Sequence, residues 1–288
     1  MKSIIRNSSI VFACLVLTMK ANIADAQTIG RYANVNGIKM YYELHGTGSP
    51  LVLLHGGGST ITTTYGTILP LLAKTHQVIA IELQAHGHSG DRNTPESFIQ
   101  DADDVAELLR QLNVVKADIM GFSNGGQTAL EIGMRHPDRV NKLVIASAFY
   151  KRSGVPSAFW EGFKTPKFSD MPQVYKDEFL KINNDSAALM NMFSKDSRRM
   201  MTFKDWKNED LQSIQAPALV VAGDQDLPLP EHTVEMYRLL PHGRLAILPG
   251  NHGSYMGEIM SAGRDSKIPE LFAAMIDEFL SSPMPATH

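Results

Sequence analysis

Ser123, Asp226 and His252 are the residues of this chain whose types and surroundings could carry covalent chemistry. Ser123 stands in Gly121-Phe122-Ser123-Asn124-Gly125, after a short apolar stretch and ahead of a helical pattern. A serine between a strand and a helix sits in a tight turn, where Gly121 and Gly125 lack the Cβ atoms that would collide. Its hydroxyl is pushed out over the end of a sheet. Because that hydroxyl is a weak nucleophile at neutral pH, it needs a base within hydrogen-bond reach and a third group to hold the base in the right tautomer. His252, in Leu248-Pro249-Gly250-Asn251-His252-Gly253, follows the last apolar run of strand length and is the candidate base. Asp224 and Asp226 follow the run before it and compete for the acid role, with Asp118, just before the serine's strand, as a third carboxylate. Acyl transfer also develops an oxyanion that fixed donors must meet. His55-Gly56-Gly57-Gly58 follows the run Leu51 to Leu54, and without side chains its amides can approach a substrate oxygen closely.

These groups need a scaffold, and the hydrophobic pattern supplies one. Asn36-Gly37 between Arg31–Val35 and Ile38–Leu44 reads as a tight hairpin turn at a sheet edge. Apolar runs then recur at Leu51–Leu54, Gln77–Leu83, Asp118–Met120, Lys142–Ala146, Ala218–Ala222 and Leu245–Leu248. Runs with little polar alternation suit strands covered on both faces, which predicts a parallel sheet flanked by helices. Helical patterns lie between them at Thr63–Ala73, Ser97–Leu112, Gly125–Arg135, Glu231–Leu240 and Ile268–Phe279. In Ser97–Leu112, Phe98, Ala102, Val105, Leu108, Leu109 and Leu112 form one stripe, opposite Asp103, Asp104, Glu107 and Arg110. Residues 151–215 contain no convincing strand and read as an inserted helical lid, with helices predicted over Pro172–Ile182 and Ser186–Met201. Its methionines offer adaptable apolar surface, and Trp160, Phe163 and Trp206 suit either core or pocket.

The elbow at Ser123, the intermediate aspartate, the late histidine and the glycine run, in that chain relation, resemble the serine-nucleophile, esterase- and lipase-like branch of the α/β-hydrolase fold family. The resemblance spans about residues 31–281. It implies an α/β fold with a mostly parallel, twisted sheet of about eight strands and a helical insertion. It selects Asp226 over Asp224, because the family's acid lies at the second position of the Gly-Asp-x-Asp run; the first is a turn-capping group. It gives the Gly57 and Asn124 amides the oxyanion, with Gly58 as runner-up, and makes His55 an orienting residue. Neither metal nor organic cofactor is implied. The run Glu82-Leu83-Gln84-Ala85-His86-Gly87-His88-Ser89 resembles the family's Asp-x-Arg-Gly-x-Gly-x-Ser turn, with Glu82, Gln84 and Ala85 substituted, so no role of the missing arginine carries over. His86 and His88 read as turn residues, since no companion Cys/His spacing accompanies them.

Met1–Ala26 reads as a secretory signal: Lys2 and Arg6 open it, Ile10–Met19 form its apolar stretch, and Ala24-Asp25-Ala26 ends it, so the mature chain would start at Gln27 as a secreted or periplasmic protein. The apolar stretch is about 10 residues, against roughly 20 for a membrane span, so no stable anchor is expected. The one cysteine, Cys14, falls inside the signal. The chain carries 27 basic and 30 acidic residues, a net charge of −3. Losing three bases and one acid with the signal lowers that to −5. Such a balance argues against binding nucleic acid or an anionic membrane. The residues together predict a serine hydrolase acting on a carboxylic ester, or a lactone- or thioester-like bond, of a small, largely apolar substrate. A cofactor-free perhydrolase or haloperoxidase-like enzyme or a C–C hydrolase would use the same three residues. A ligand-binding receptor on the same fold is the non-enzymatic alternative.

Overall fold

The structure, a computed structural model, describes residues 29–261 and 265–283. The signal expected over Met1–Ala26 lies outside them. Strand β1 (Ile29–Val35) turns at Asn36 and Gly37, whose φ angles are 42° and 90°, into β2 (Ile38–His45). Then follow β3 (Ser49–Leu54), the short helices α1 (Ile61–Tyr65) and α2 (Leu69–Leu72), β4 (His76–Glu82), α3 (Phe98–Gln111), β5 (Ala117–Phe122), α4 (Asn124–Arg135) and β6 (Val140–Ala146). Four helices come next: α5 (Ser157–Lys164), α6 (Gln173–Ile182), α7 (Ser186–Met201) and α8 (Asn208–Gln212). The chain ends through β7 (Ala218–Gln225), α9 (Pro230–Leu239), β8 (Gly243–Asn251) and α10 (Ile268–Ser281).

The eight strands form one sheet in the order β1-β2-β4-β3-β5-β6-β7-β8. Pairing is antiparallel from β1 through β2 to β4 and parallel from there on. Consecutive residues of a strand bury into opposite layers. Val52 and Leu54 of β3 join Ala102, Val105, Leu130 and Met236 on the α3, α4 and α9 side. Leu51 and Leu53 join Ile61, Leu69, Phe272 and Ile276 on the side of α1, α2 and α10. Two covered faces explain why these strands read as unbroken apolar runs.

Three details depart from the sequence reading. The helix predicted over Thr63–Ala73 is two short ones. Thr60 caps the first, accepting from Thr63 N–H at 3.3 Å, and Pro70, with no N–H to offer back to Gly66, starts the second. Asp104, predicted on the solvent face of α3, is buried because Arg92 grips its carboxylate at 2.8 and 3.1 Å and Gln100 and Asn36 each donate at 2.9 Å. Helices α5 and α8 carry no strong sequence signal and were not anticipated. Between β6 and β7 the chain runs entirely through helices and loops and overhangs the carboxyl ends of the parallel strands.

Candidate active site

β5 runs into α4 with one residue between them, and that residue is Ser123, at φ 53° and ψ −121°. This left-handed backbone costs a non-glycine residue about 1–3 kcal/mol. The turn is closed enough that a Cβ at Gly121 would collide with the Gly125 carbonyl, and one at Gly125 with the Leu54 carbonyl. Ser123 N–H donates to Ala146 O at 2.9 Å, which fixes the turn to β6.

The Ser123 hydroxyl lies 3.2 Å from His252 Nε2. His252 follows β8, and its ring rests 4.7 Å from that of Phe122, centroid to centroid. Its Nδ1 lies 2.6 Å from Asp226 Oδ1. Asp226 follows β7 and is saturated with donors: Leu227 N–H at 2.7 Å, Gly223 N–H at 2.8 Å and Ser147 Oγ–H at 2.5 Å besides His252. Burial works to raise its pKa, yet the hydrogen bonds from His252, Ser147 and Gly223 hold it below the ordinary carboxylate value. With a carboxylate as its acceptor, Nδ1 of His252 carries the proton, leaving Nε2 to accept from Ser123. Asp224 does something different: its Oδ1 accepts Gly250 N–H at 2.8 Å, pinning the ends of β7 and β8. Asp118 sits at the amino end of β5, away from the serine, beside Lys142.

Two contributors were not visible in the sequence. Ser147, the residue after β6, holds φ 52° and passes a hydrogen bond from Tyr255 on to Asp226; the Ser147–Tyr255 oxygens are 2.7 Å apart. Asp196, on α7, is the other. Its Oδ2 accepts Gly58 N–H at 2.5 Å and lies 3.0 Å from His86 Nε2. Its Oδ1 accepts from Asn124 Nδ2 at 3.3 Å and from Arg199. The Gly58 amide, runner-up for the oxyanion, is therefore already occupied. Gly57 and Asn124 both line the cavity that holds Ser123 and His252. Asn124 opens α4, where the first N–H groups of a helix have no partner within it.

Histidine tautomers can be read from partners. His55 donates from Nδ1 to Gly56 O at 2.8 Å and accepts Leu83 N–H on Nε2 at 3.0 Å, so it is neutral; burial pushes its pKa down to about 3. It ties the glycine loop to the loop after β4, an orienting task. His86 faces acceptors on both nitrogens, Gln84 O at 2.8 Å and Asp196, so it is the imidazolium. His88 bonds Glu82 Oε2 at 2.9 Å. The altered turn keeps its form with Ala85 at φ 64°, and Arg92 reaches Gln84 Oε1 at 2.5 Å to brace it.

Above Ser123 is a cavity of about 410 Å³. Phe149, Phe159, Phe163, Met200 and Leu227, of one apolar cluster, and Met171, Tyr175 and Phe193, of another, line it. Phe163 thus belongs to the pocket. Trp160 instead packs among the aromatic residues beside the cavity, donating Nε1–H to Arg152 O at 2.7 Å, and Trp206 bridges to the body, edge-on to Phe98 of α3. Lys167, exposed at the rim, is the one cationic side chain among the described lining residues.

Comparison with known proteins agrees with the fold. The chain is similar to the serine hydrolase BPHL of Homo sapiens, 28% identical over 237 residues covering 77% of this chain and 79% of that protein. It is also similar to 2-hydroxymuconate semialdehyde hydrolase of a Pseudomonas strain, 32% identical over 156 residues, 51% of this chain and 53% of that one. The enol-lactonase of Burkholderia xenovorans shares the fold, with a TM-score of 0.67 and 20% identity over 88% of this chain and all of that chain. Residues 49–199, slightly more than half of the sequence, match the family described as alpha/beta hydrolase fold. By that match and by its sheet order, the chain is a member of the alpha/beta hydrolase family.

Proposed function

We propose that this hydrolase cleaves carboxylic esters of small, uncharged, apolar or aromatic acyl groups through an acyl-enzyme on Ser123. The observation that carries the reading is the unbroken hydrogen-bond path Asp226–His252–Ser123 opening into an aromatic-walled cavity. His252 Nε2 takes the Ser123 proton as Oγ attacks the carbonyl, and the Gly57 and Asn124 amides meet the oxyanion. The imidazolium, steadied by Asp226, then protonates the leaving alcohol. Water hydrolyses the acyl-enzyme by the same route in reverse. The names of the relatives include a serine hydrolase, a semialdehyde hydrolase and a lactonase, so one arrangement serves several scissile bonds. A muconate-type substrate carries a carboxylate, and no cation faces the interior of this cavity among the described residues; that favours uncharged substrates. The helices over the cavity act as its lid, and the leader places the mature enzyme outside the cytoplasm.

A fluorophosphonate probe should label Ser123 and nothing in Ser123→Ala. Across a panel of aryl and alkyl esters, lactones, vinylogous 1,5-diketones and peracid formation, aryl or short-chain esters should turn over fastest. Labelling that survives Ser123→Ala would overturn the nucleophile; preference for a diketone acid would replace ester by C–C cleavage.

A further inference from the structure

A carboxylate buried beside an oxyanion site is unexpected, because negative charge there opposes the charge that catalysis must stabilise. Asp196 is such a group. It lines the cavity from α7, and a Cβ built on Gly57 would come within 3.4 Å of its Oδ2. Each of its oxygens already accepts two donors: Gly58 N–H and His86 on Oδ2, Asn124 Nδ2 and Arg199 on Oδ1. No lone pair is left for substrate, so the residue does not bind it. Arg199 does not depend on this carboxylate alone, since Asp101 holds it at 2.8 Å and Glu96 lies 3.7 Å away. What Asp196 alone joins is the glycine loop, the first residue of α4 and the helix that roofs the cavity.

We propose that Asp196 is a positioning residue of the oxyanion site: by fixing Gly58 N–H and the Asn124 side chain, it sets the spacing of the Gly57 and Asn124 amides and makes that spacing depend on α7 being seated. The inference rests on the reading of those two amides as oxyanion donors. Gly58 has φ +66°, a left-handed conformation that turns its amide to the carboxylate. The two cations beside Asp196, His86 and Arg199, offset its charge, so the oxyanion meets a fixed frame and no bare carboxylate. When α7 lifts, the carboxylate leaves with it, and the glycine loop loses the hydrogen bond that Gly58 N–H makes to α7.

The test separates positioning from packing. Asp196→Asn keeps the volume; Asp196→Glu keeps the charge for His86 and Arg199, protecting the fold, but moves the carboxylate by one methylene. In both, kcat should fall roughly 10- to 100-fold, less than the 10²–10³ of deleting a donor outright, with KM within about twofold. The affinity of an aryl trifluoromethyl ketone, whose hemiketal on Ser123 places O⁻ where the oxyanion forms, should fall by the same factor. Unchanged kcat and ketone affinity in a folded Asp196→Glu, or a rise in KM alone, would overturn the proposal. Gly57→Ala, whose Cβ would crowd the oxyanion site against the Asn124 side-chain Nδ2, is the control for the underlying reading. If it too leaves ketone affinity intact, the oxyanion assignment itself falls; if it alone loses affinity, only the role of Asp196 does.

Discussion

Two aspartates two residues apart do opposite things because of where their neighbours' amides point. Asp226 accepts from Gly223, Leu227, Ser147 and His252, whereas Asp224 accepts Gly250 N–H and braces the sheet edge. Asp226→Asn offers a donor where His252 Nδ1–H needs an acceptor, and should lower kcat roughly 10³–10⁴-fold with the fold intact. Asp224→Asn keeps an acceptor oxygen and should leave kcat within about twofold; steady-state kinetics on the pair decides which carboxylate serves the histidine. Ser147→Ala removes one of the four donors and strands the buried Tyr255 hydroxyl. It should cost about 1–3 kcal/mol in urea unfolding, with a smaller kcat loss than Asp226→Asn because Gly223 and Leu227 still hold the acid. Ser123, His252 and the Asp pair were legible because each follows an apolar run, and a strand's end is where this sheet presents chemistry. Asp196 was not. Its partners Gly58, His86 and Asn124 stand 138, 110 and 72 residues away, and an aspartate in an amphipathic helix reads as solvated until the fold brings those donors together.

At the scale of elements, β3 to β7 were readable since both faces of the sheet are covered there, and the half-exposed edge strand β8 by its shorter run Leu245–Leu248; only strand ends were misjudged, by a few residues. Helices α6 and α7 were readable from period, whereas their docking was not, because it is polar. Along α7, Asn191, Lys195 and Arg199, spaced four apart, reach Asp91, the Arg92 and Thr94 carbonyls and Asp101. The opposite edge of the roof is held by Tyr175 of α6, which donates to Glu258 Oε1 at 2.6 Å just beyond the His252 loop. Burial raises the Glu258 pKa, so its carboxyl relies on the bonds it has. Tyr175→Phe should lower stability by about 1 kcal/mol and shift KM more than kcat, since Tyr175 lines the cavity without touching the serine. A KM equal to that of the parent would mean the roof keeps its place without this bond. The elbow tolerates no such change: Gly125→Ala drives a Cβ into the Leu54 carbonyl, between a helix and a strand that cannot part. A loss of about 3 kcal/mol, or no soluble protein, should follow, and a stable, active Gly125→Ala would show that β3 and α4 can separate.

For the whole molecule, the ionic cluster between roof and body dictates how stability runs with pH. Burial opposes the charge on His86, but Asp196 beside it outweighs burial and lifts the pKa to about 9. An unfolded histidine titrates near 6.5. The folded chain therefore keeps a proton that the unfolded chain has lost between about pH 6.5 and 9. That contribution is full below 6.5 and is lost as pH rises through 9. Burial pushes Glu96 up to about 8 and Asp101 to about 6, and these carboxyls work in the same direction, favouring the protonated folded state over the unfolded one at lower pH. His55 acts at the other end. Burial, helped by the charge on His86, holds it down to about 3, so below pH 6.5 the unfolded chain takes a proton that the folded chain refuses. Between about pH 4.5 and 6 Glu96 and Asp101 together outweigh His55, so stability from these groups should fall slowly up to about pH 6.5 and more steeply from there to 9. In His86→Gln the amide can still donate to Asp196 but has no proton to lose. Its melting temperature, measured by circular dichroism from pH 5 to 9.5, should start lower than the parent's and fall less steeply toward alkali. Arg199 does not titrate in this range and Asp196 stays ionised throughout it, so His86 and Glu96 are the titrating members of the cluster there, and the lost slope is the share of His86. Equal alkaline slopes in the two proteins would shift the loss to Glu96 and remove the imidazolium from the link between roof and body.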